Sequence, residues 1–281
     1  MKKTLLIIGG LFFCVISWYS FVVNREEFYS VVILDVGQGS GAYIKTVQGY
    51  EIIADVGETN KTLRNISKFR MPWDKHINMV IASHPDKDHI GMFPEIIRRF
   101  DIDTYVDGGK QSLYGVYPAI MDQLRKKNIS ATRFQVGDMV HIEPGITITF
   151  LHPYIQDVEE FSNNEASVVF ILDIRGMTFL FMGDAGIPTE KELIKKYGDT
   201  LDIDVLVVGH HGSKSSTSDN FLEATTPQYA VISVGAANRY GHPHAGVIKR
   251  LNDRDIPILR TDLLGNIQFR IFDNRFDIVI K

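Results

Sequence analysis

Four side chains able to bind a divalent metal crowd into one short stretch of this chain, Ser83-His84-Pro85-Asp86-Lys87-Asp88-His89. Carboxylates and imidazoles packed this closely leave like charges facing each other unless a cation offsets them. The apolar run Met79-Val80-Ile81-Ala82 stands just before them and reads as a buried strand, so His84, Asp86, Asp88 and His89 emerge on the loop at its end. A rigid strand end holds ligands still, which a metal site needs and a solvated loop does not. The same order recurs twice. Thr178-Phe179-Leu180-Phe181-Met182 precedes Asp184, which could alternatively cap a helix from Ile187 onward. Val205-Leu206-Val207-Val208 precedes His210 and His211. Neighbours on an extended segment point opposite ways, so one of these two is expected to bind metal. His210 is preferred, with His211 facing substrate or holding the loop.

Two further groups could do chemistry. His242 and His244 flank Pro243 on a Gly-rich loop, where an imidazole could contact a phosphate or protonate a leaving oxygen; a structural pair is the alternative. Ser213-Lys214-Ser215-Ser216-Thr217 is a hydroxyl-rich run before a helix at 218. It suits an anion at that helix's N-terminus, or ordinary capping.

The elements that must position these groups follow from periodicity and turn residues. Residues 29–35, 42–47 and 51–55 read as short strands with turns at Gly37-Gln38-Gly39 and Gln48-Gly49. A helix over Asn60–Phe69, the strand at 79–83, a helix over Phe93–Phe100, a strand at 103–107 and an amphipathic helix over Val116–Lys127 come next. Strands are expected at 131–134, 139–142, 146–151, 167–173 and 177–182. The second half alternates: helix 188–197, strand 204–208, helix 218–225, strand 229–233, helix 244–252, then closing strands. Pattern alone gives a mixed α/β class.

The pattern His84-x-Asp86-x-Asp88-His89 resembles the second motif of the metallo-β-lactamase superfamily, usually His-x-His-x-Asp-His, and its variant form is similar to the hydrolase domain of ComEC, the DNA-uptake channel of competent bacteria. Leu34-Asp35-Val36-Gly37-Gln38-Gly39, Ile53-Ala54-Asp55-Val56-Gly57 and Asn163-Asn164-Glu165-Ala166-Ser167-Val168-Val169 match in order. Met182-Gly183-Asp184-Ala185, Val208-Gly209-His210-His211-Gly212-Ser213, Gly241-His242-Pro243-His244 and Arg260-Thr261-Asp262 follow. The resemblance runs over roughly residues 30 to 281. It implies an α/β (α+β) fold, the four-layer αββα sandwich of two face-to-face sheets with helices outside.

It also implies roles. Asp184 corresponds to the bridging carboxylate, giving the metal set His84, Asp86, Asp88, His89, Asp184 and His210. Asp55 resembles the first motif, which supports the metal loop by hydrogen bonding. Asn163 stands where many relatives carry a third His, and Asp86 where they carry another. Fewer imidazoles and more oxygen donors shift a site from Zn(II) toward Mn(II), so two divalent ions are expected, Mn(II) ahead of Zn(II), with the first weakly held. Asp88 and His242 are the expected catalytic groups: Asp88 orients the nucleophilic water that two ions activate, and His242 serves the leaving oxygen. Asp55, Asn163, His211, Ser213 and His244 are expected to support the ligands or touch substrate. His152 has some claim to the site; His76 and His141 have little. The subfamily often follows Gly39 with an acid, and Ser40 stands there instead.

Composition bounds the rest. The chain has 281 residues, 44% hydrophobic and 23% charged, ordinary for one globular domain. Thr4–Val23 carries no charge and is long enough to cross a ~30 Å hydrocarbon core as a helix. Residues 1–28 are therefore expected to be a signal anchor and 29–281 the hydrolase domain, outside the cytoplasm because Lys2 and Lys3 favour staying inside. A cleaved signal, or a lipoprotein signal at Cys14, is the alternative. With one cysteine, no internal disulfide can form. The net charge of −4 advertises no nucleic-acid surface, though Arg98-Arg99, Arg125-Lys126-Lys127 and Lys249-Arg250 could form a local stripe. The expected function is a metal-dependent phosphodiesterase or nuclease on DNA, single-stranded DNA among its partners, with any channel a separate protein. Its competitors are an exported hydrolase of a cell-envelope or small-molecule ester and a non-catalytic metal-bearing binding module.

Overall fold

Apolar residues in many of these strands stand on both faces, and a strand of that kind must be covered on both sides. In the strand Tyr29–Ile33 (β1), Val31 and Ile33 face one apolar layer while Val32 and the following Leu34 face another. Phe179 and Phe181 alternate in the same way with Leu180 in Met177–Phe181 (β10). The computed structural model describes residues 26–113, 115–154 and 158–281. The expected anchor, Thr4–Val23, lies outside them, and no described helix is long and apolar enough to cross a membrane.

Among the described residues two sheets pack face to face. The first begins at one edge with Phe276–Ile280 (β15) and Ile267–Ile271 (β14), then continues through β1, Gly41–Lys45 (β2) and Glu51–Val56 (β3). It ends with His76–Ala82 (β4), Asp101–Asp107 (β5) and Ala131–Thr132 (β6). The second sheet runs Ile258–Arg260 (β13), Tyr229–Ile232 (β12), Val205–Val207 (β11), β10, Val169–Ile174 (β9), Ile146–His152 (β8) and Met139–Glu143 (β7).

Three apolar layers hold the sandwich together. Between the sheets, Val31, Ile44, Ile52 and Ile81 meet Ile148, Phe170, Phe179 and Val207. Outside the first sheet, the helices Lys61–Ile66, Phe93–Arg99 and Tyr117–Lys126 contribute Ile66, Phe93, Ile96, Ile120 and Leu124. Outside the second, Ile187–Tyr197, Asp219–Thr225 and Ala245–Asn252 contribute Leu193, Phe221, Leu222, Val247 and Leu251. This is the expected αββα arrangement. Truncating a fully buried ring such as Phe179 to Ala would cost about 3–5 kcal/mol.

Topology decides where the chemistry can sit. β3, β4, β5 and β6 are parallel, as are β10, β11, β12 and β13. The C-terminal ends of β3, β4, β10, β11 and β12 meet at one rim, and loops there are carried by a rigid frame. Two backbone bonds lace the rim: the Val168 N–H donates to Ser83 O at 2.8 Å, and the His210 N–H to Gly183 O at 2.9 Å. Two elements differ from expectation. The helix near 60–69 is one short piece, Lys61–Ile66, and the strand near 131–134 is two residues long, paired only through Ala131 and Thr132 at the sheet edge.

Candidate metal centre

Asp86 leaves β4 in an extended conformation (φ −75°, ψ 145°) and caps the single turn Lys87–Ile90, which carries Asp88 and His89 inward. Behind that turn stands Asp55, near the end of β3, with φ 53°. A non-glycine residue in the left-handed region costs free energy and persists only where its surroundings demand it. Asp55 has three such demands: Oδ1 accepts the Ser83 N–H at 2.8 Å, and Oδ2 accepts the Ser83 hydroxyl at 2.7 Å and His89 Nδ1–H at 2.7 Å. Opposite it, Gly39 lets the 37–40 turn lie on the ligand loop. Its φ is +123°, and a Cβ there would come within 2.0 Å of Asp88 O.

Asp184 emerges from β10 across the rim. Gly183 (φ +53°) turns the chain between Ser83 and Ser167, and the Asp184 N–H donates to Ser167 Oγ at 3.0 Å. The Asp184 carboxylate faces four imidazoles: Oδ1 is 3.0 Å from His89 Nε2 and 3.4 Å from His211 Nε2, while Oδ2 is 3.6 Å from His210 Nε2 and 3.9 Å from His84 Nε2. The helix that follows is capped at Gly186, so Asp184 is not a helix cap.

The extended-segment reason for preferring His210 over His211 does not hold. Both residues adopt left-handed dihedrals, φ 50° and 54°, in the turn Gly209–Gly212, so the opposed directions of an extended segment do not apply. His211 is buried, with Nε2 3.3 Å from Asp88 Oδ2 and 3.3 Å from His89 Nε2. His210 is half-buried and approaches the other oxygen of Asp184.

The residues present fit a pair of divalent ions. His89 Nδ1 is held by Asp55 at 2.7 Å, His211 Nδ1 by Ser233 O at 2.9 Å, and His84 Nδ1 by Ser83 Oγ at 3.0 Å. Each ring is gripped from behind and presents Nε2 to the same space, the arrangement that orients metal-binding imidazoles. Among the described residues, buried His84 Nε2 has no hydrogen-bond partner, and buried Asp184 Oδ1 has the approach of His89 Nε2 at 3.0 Å. Two groups of donors lie close enough to share ions: His84, His89 and Asp184, and Asp88, His89 and His211. Electrostatics agree. Burial, the strongest single influence, would lower the His89 pKa, but Asp184 and Asp55 outweigh it and hold it well above the ordinary imidazole value. Burial would raise Asp88, yet the His211 hydrogen bond and the charges of His89 and His211 hold it down at about 2. Asp184, Asp55 and Asp88 thus favour positive charge at His89 and His211, whereas burial pushes His210 down.

Other expectations land differently. Asn163 Nδ2 donates to Asp86 Oδ1 at 2.7 Å and braces that carboxylate; the adjacent Asn164, which no spacing rule singled out, lies 3.4 Å from the His210 ring nitrogens. His242 lies beside the cluster, its ring centroid 5.6 Å from that of His210 and its buried Nδ1 without a hydrogen-bond partner among the described residues. Burial first, then the neighbouring His211 and His210, pushes its pKa down. His244 instead caps Ala245–Asn252, its Nδ1 accepting from the Gly246 N–H at 3.1 Å. Ser213 bonds Ser215 at 3.0 Å, and the anion expected at the next helix is internal: the Glu190 carboxylate accepts the Thr217 and Ser218 N–H groups. His152 is buried behind the centre, Nδ1 3.0 Å from Ser167 O.

The basic clusters do not form a free stripe. Arg98 and Arg99 pair with Glu95, Arg125 and Lys126 with Asp122, and Lys249 with Asp253. Arg250 donates to Thr217 O at 2.7 Å and Ser216 O at 3.1 Å. Ser83, Ser167 and Ser233 are buried and brace candidate ligands, Ser83 and Ser167 through their hydroxyls and Ser233 through its carbonyl, roles that spacing does not reveal.

Comparison with known proteins agrees with this geometry. Residues 48–236 match the family described as the Metallo-beta-lactamase superfamily. ComE operon protein 3 of Bacillus subtilis is 27% identical over 297 residues, covering 96% of this chain and 36% of that protein. Competence protein ComA of Neisseria gonorrhoeae is 31% identical over 245 residues, covering 87% of this chain and 32% of that protein. The chain thus spans about a third of the length of these relatives. Igni18, a metallo hydrolase from the archaeon Ignicoccus hospitalis, superposes with a TM-score of 0.56 at 16% identity, over 85% of this chain and 98% of that one. Zn(2+)-bound PqqB from Methylobacterium extorquens does so at 0.52 and 9%, over 85% and 99%. At these identities the likeness to solved structures is one of fold.

Proposed function

This chain belongs to the metallo-β-lactamase superfamily, and from that premise we propose that it is a metal-dependent phosphodiesterase whose substrate is DNA. The family and the His/Asp cluster support a metal-dependent hydrolase. The observation that carries the finer reading is the position of Asp184, one oxygen toward His89 and His211 and the other toward His84 and His210. Such a carboxylate can hold two cations side by side. When bound, a pair of divalent ions supplies an activated water and neutralises charge on a phosphoryl oxygen.

The chain's own residues do the rest. His84, Asp86 and Asp184 would hold one ion, and Asp88, His89, His211 and Asp184 the other, with His210 near the first. Asn163 steadies Asp86 and Asp55 steadies His89. Asp88 is placed to orient the attacking water as well as bind. His242, whose pKa is depressed, is neutral near pH 7 and can donate an N–H hydrogen bond to the leaving oxygen, which takes its proton from solvent. Oxygen-rich donors favour Mn(II) over Zn(II). Relatives named as competence proteins support a nucleic-acid substrate in the sense of the ComEC resemblance. The same proposal includes the anchor at Thr4–Val23, a domain outside the cytoplasm and a separate channel protein.

The test is an assay of the full chain with Mn(II) or Zn(II) against single-stranded DNA, double-stranded DNA, a chromogenic phosphodiester, a β-lactam and a thioester. Cleavage of a phosphodiester is expected. Hydrolysis of only the lactam or thioester would remove the phosphodiesterase reading and leave the hydrolase.

A further inference from the structure

One exposed aromatic ring stands beside the metal centre with no packing role in the core. Tyr240, on the loop between β12 and Ala245–Asn252, is 52% exposed. Its ring lies against His242, centroids 5.8 Å apart and planes 24° from parallel. The His242 ring in turn lies 5.6 Å from His210 and 6.3 Å from His211. Arg239 lies next to the same ring, Cζ 5.1 Å from the Tyr240 centroid, with Nη2 donating to the hydroxyl at 3.0 Å. A row of flat groups therefore leads from solvent to the cluster.

The loop that carries this row is held by one side chain. Asn238 Nδ2 donates to Gly235 O at 3.0 Å and to His242 O at 2.6 Å, while Oδ1 accepts the N–H groups of Tyr240 at 3.2 Å and His242 at 3.0 Å. The platform is set before any ligand arrives, which lowers the ordering cost of binding.

We infer that Tyr240, with Arg239, is a stacking site for the nucleobase next to the phosphodiester held at the metal centre. The inference rests on the phosphodiesterase reading and names what that site would recognise. Aromatic rings hold single-stranded nucleic acid without regard to sequence, because every base has a flat π-face, and an arginine adds a cation–π contribution. The mode suits this protein: its net charge is −4 and the basic clusters on its helices are already paired, so a broad electrostatic track is not what holds a strand. Bases in a duplex are stacked on one another, so the site favours single strands.

The test compares a fluorescein-labelled single strand with the same strand carrying tetrahydrofuran abasic residues, both with phosphorothioate linkages that slow cutting. Binding to the Mn(II)-loaded full chain is read by fluorescence anisotropy. The base-containing strand should bind at least about tenfold tighter, the scale of one base–aromatic stack. Tyr240→Ala and Tyr240→Leu should abolish that preference, and Tyr240→Phe should keep it. Equal binding of the two strands by the unaltered protein, or a preference that survives both Tyr240→Ala and Tyr240→Leu, would overturn the inference. A separate cleavage assay on ordinary strands distinguishes the two claims: a protein that prefers bases but cuts neither strand keeps the stacking site and loses the phosphodiesterase reading.

Discussion

Asp55 Oδ2 lies 2.7 Å from His89 Nδ1, although the two residues are 34 positions apart in the chain. The contact joins the end of β3 to the ligand turn after β4 and directs the other nitrogen of His89 toward Asp184, 3.0 Å away. Asp55→Asn should keep the fold and loosen this grip. Metal affinity should fall about 10–100-fold, the usual cost of losing such a support, as measured by competition with a metal indicator. Unchanged affinity would reduce Asp55 to a structural bond with Ser83.

Asp184 faces both halves of the donor set, so Asp184→Ala should abolish turnover and lower metal content toward zero. Asp88→Ala should also abolish turnover but leave one ion, because His84, Asp86 and Asp184 still stand together. Metal analysis of the two purified variants separates the roles. A fully loaded, active Asp184→Ala would end the bridging assignment.

The two adjacent histidines should behave unequally. His211 touches Asp88, His89 and Asp184, whereas His210 reaches only Asp184 among the carboxylates. His211→Ala should release one of two ions and remove activity. His210→Ala should retain more of both. Equal loss in the two variants would argue that both rings bind.

His242 lies outside both donor groups. Its replacement by Ala should lower kcat by about a hundredfold while metal content stays at the unaltered level, the signature of a group that stabilises the leaving oxygen and holds no ion. A parallel fall in metal content would make it a ligand instead.

Glu190 ties Ile187–Tyr197 to the loop before Asp219–Thr225 by accepting two backbone N–H groups. It is 1% exposed, so Glu190→Gln would set an amide NH2 against a backbone N–H from which it cannot accept. Urea denaturation should show a loss of about 1–3 kcal/mol. No change would mean that the loop holds itself.

Much of the centre was legible along the chain because a buried strand followed by a ligand is a local pattern. β4 before His84, β10 before Asp184 and β11 before the pair His210 and His211 all have that pattern of a candidate ligand, and alternation within those strands already called for cover on both faces. What local pattern could not reveal is convergence. The Ser167 hydroxyl and the Ser233 carbonyl reach Asp184 and His211 only because parallel strands in two sheets end at a common rim, and neither a loop serine nor a backbone carbonyl stands out in a sequence. The left-handed turn at His210 and His211 is likewise a tertiary decision: the bond from His210 N–H to Gly183 O and the close packing of that rim hold dihedrals that an isolated segment would avoid. The same is true of Glu190, whose partners are the Thr217 and Ser218 N–H groups more than twenty residues on, left open before a helix start. Residue types determined which chemistry was available; the packing of the two sheets decided which atoms meet to perform it.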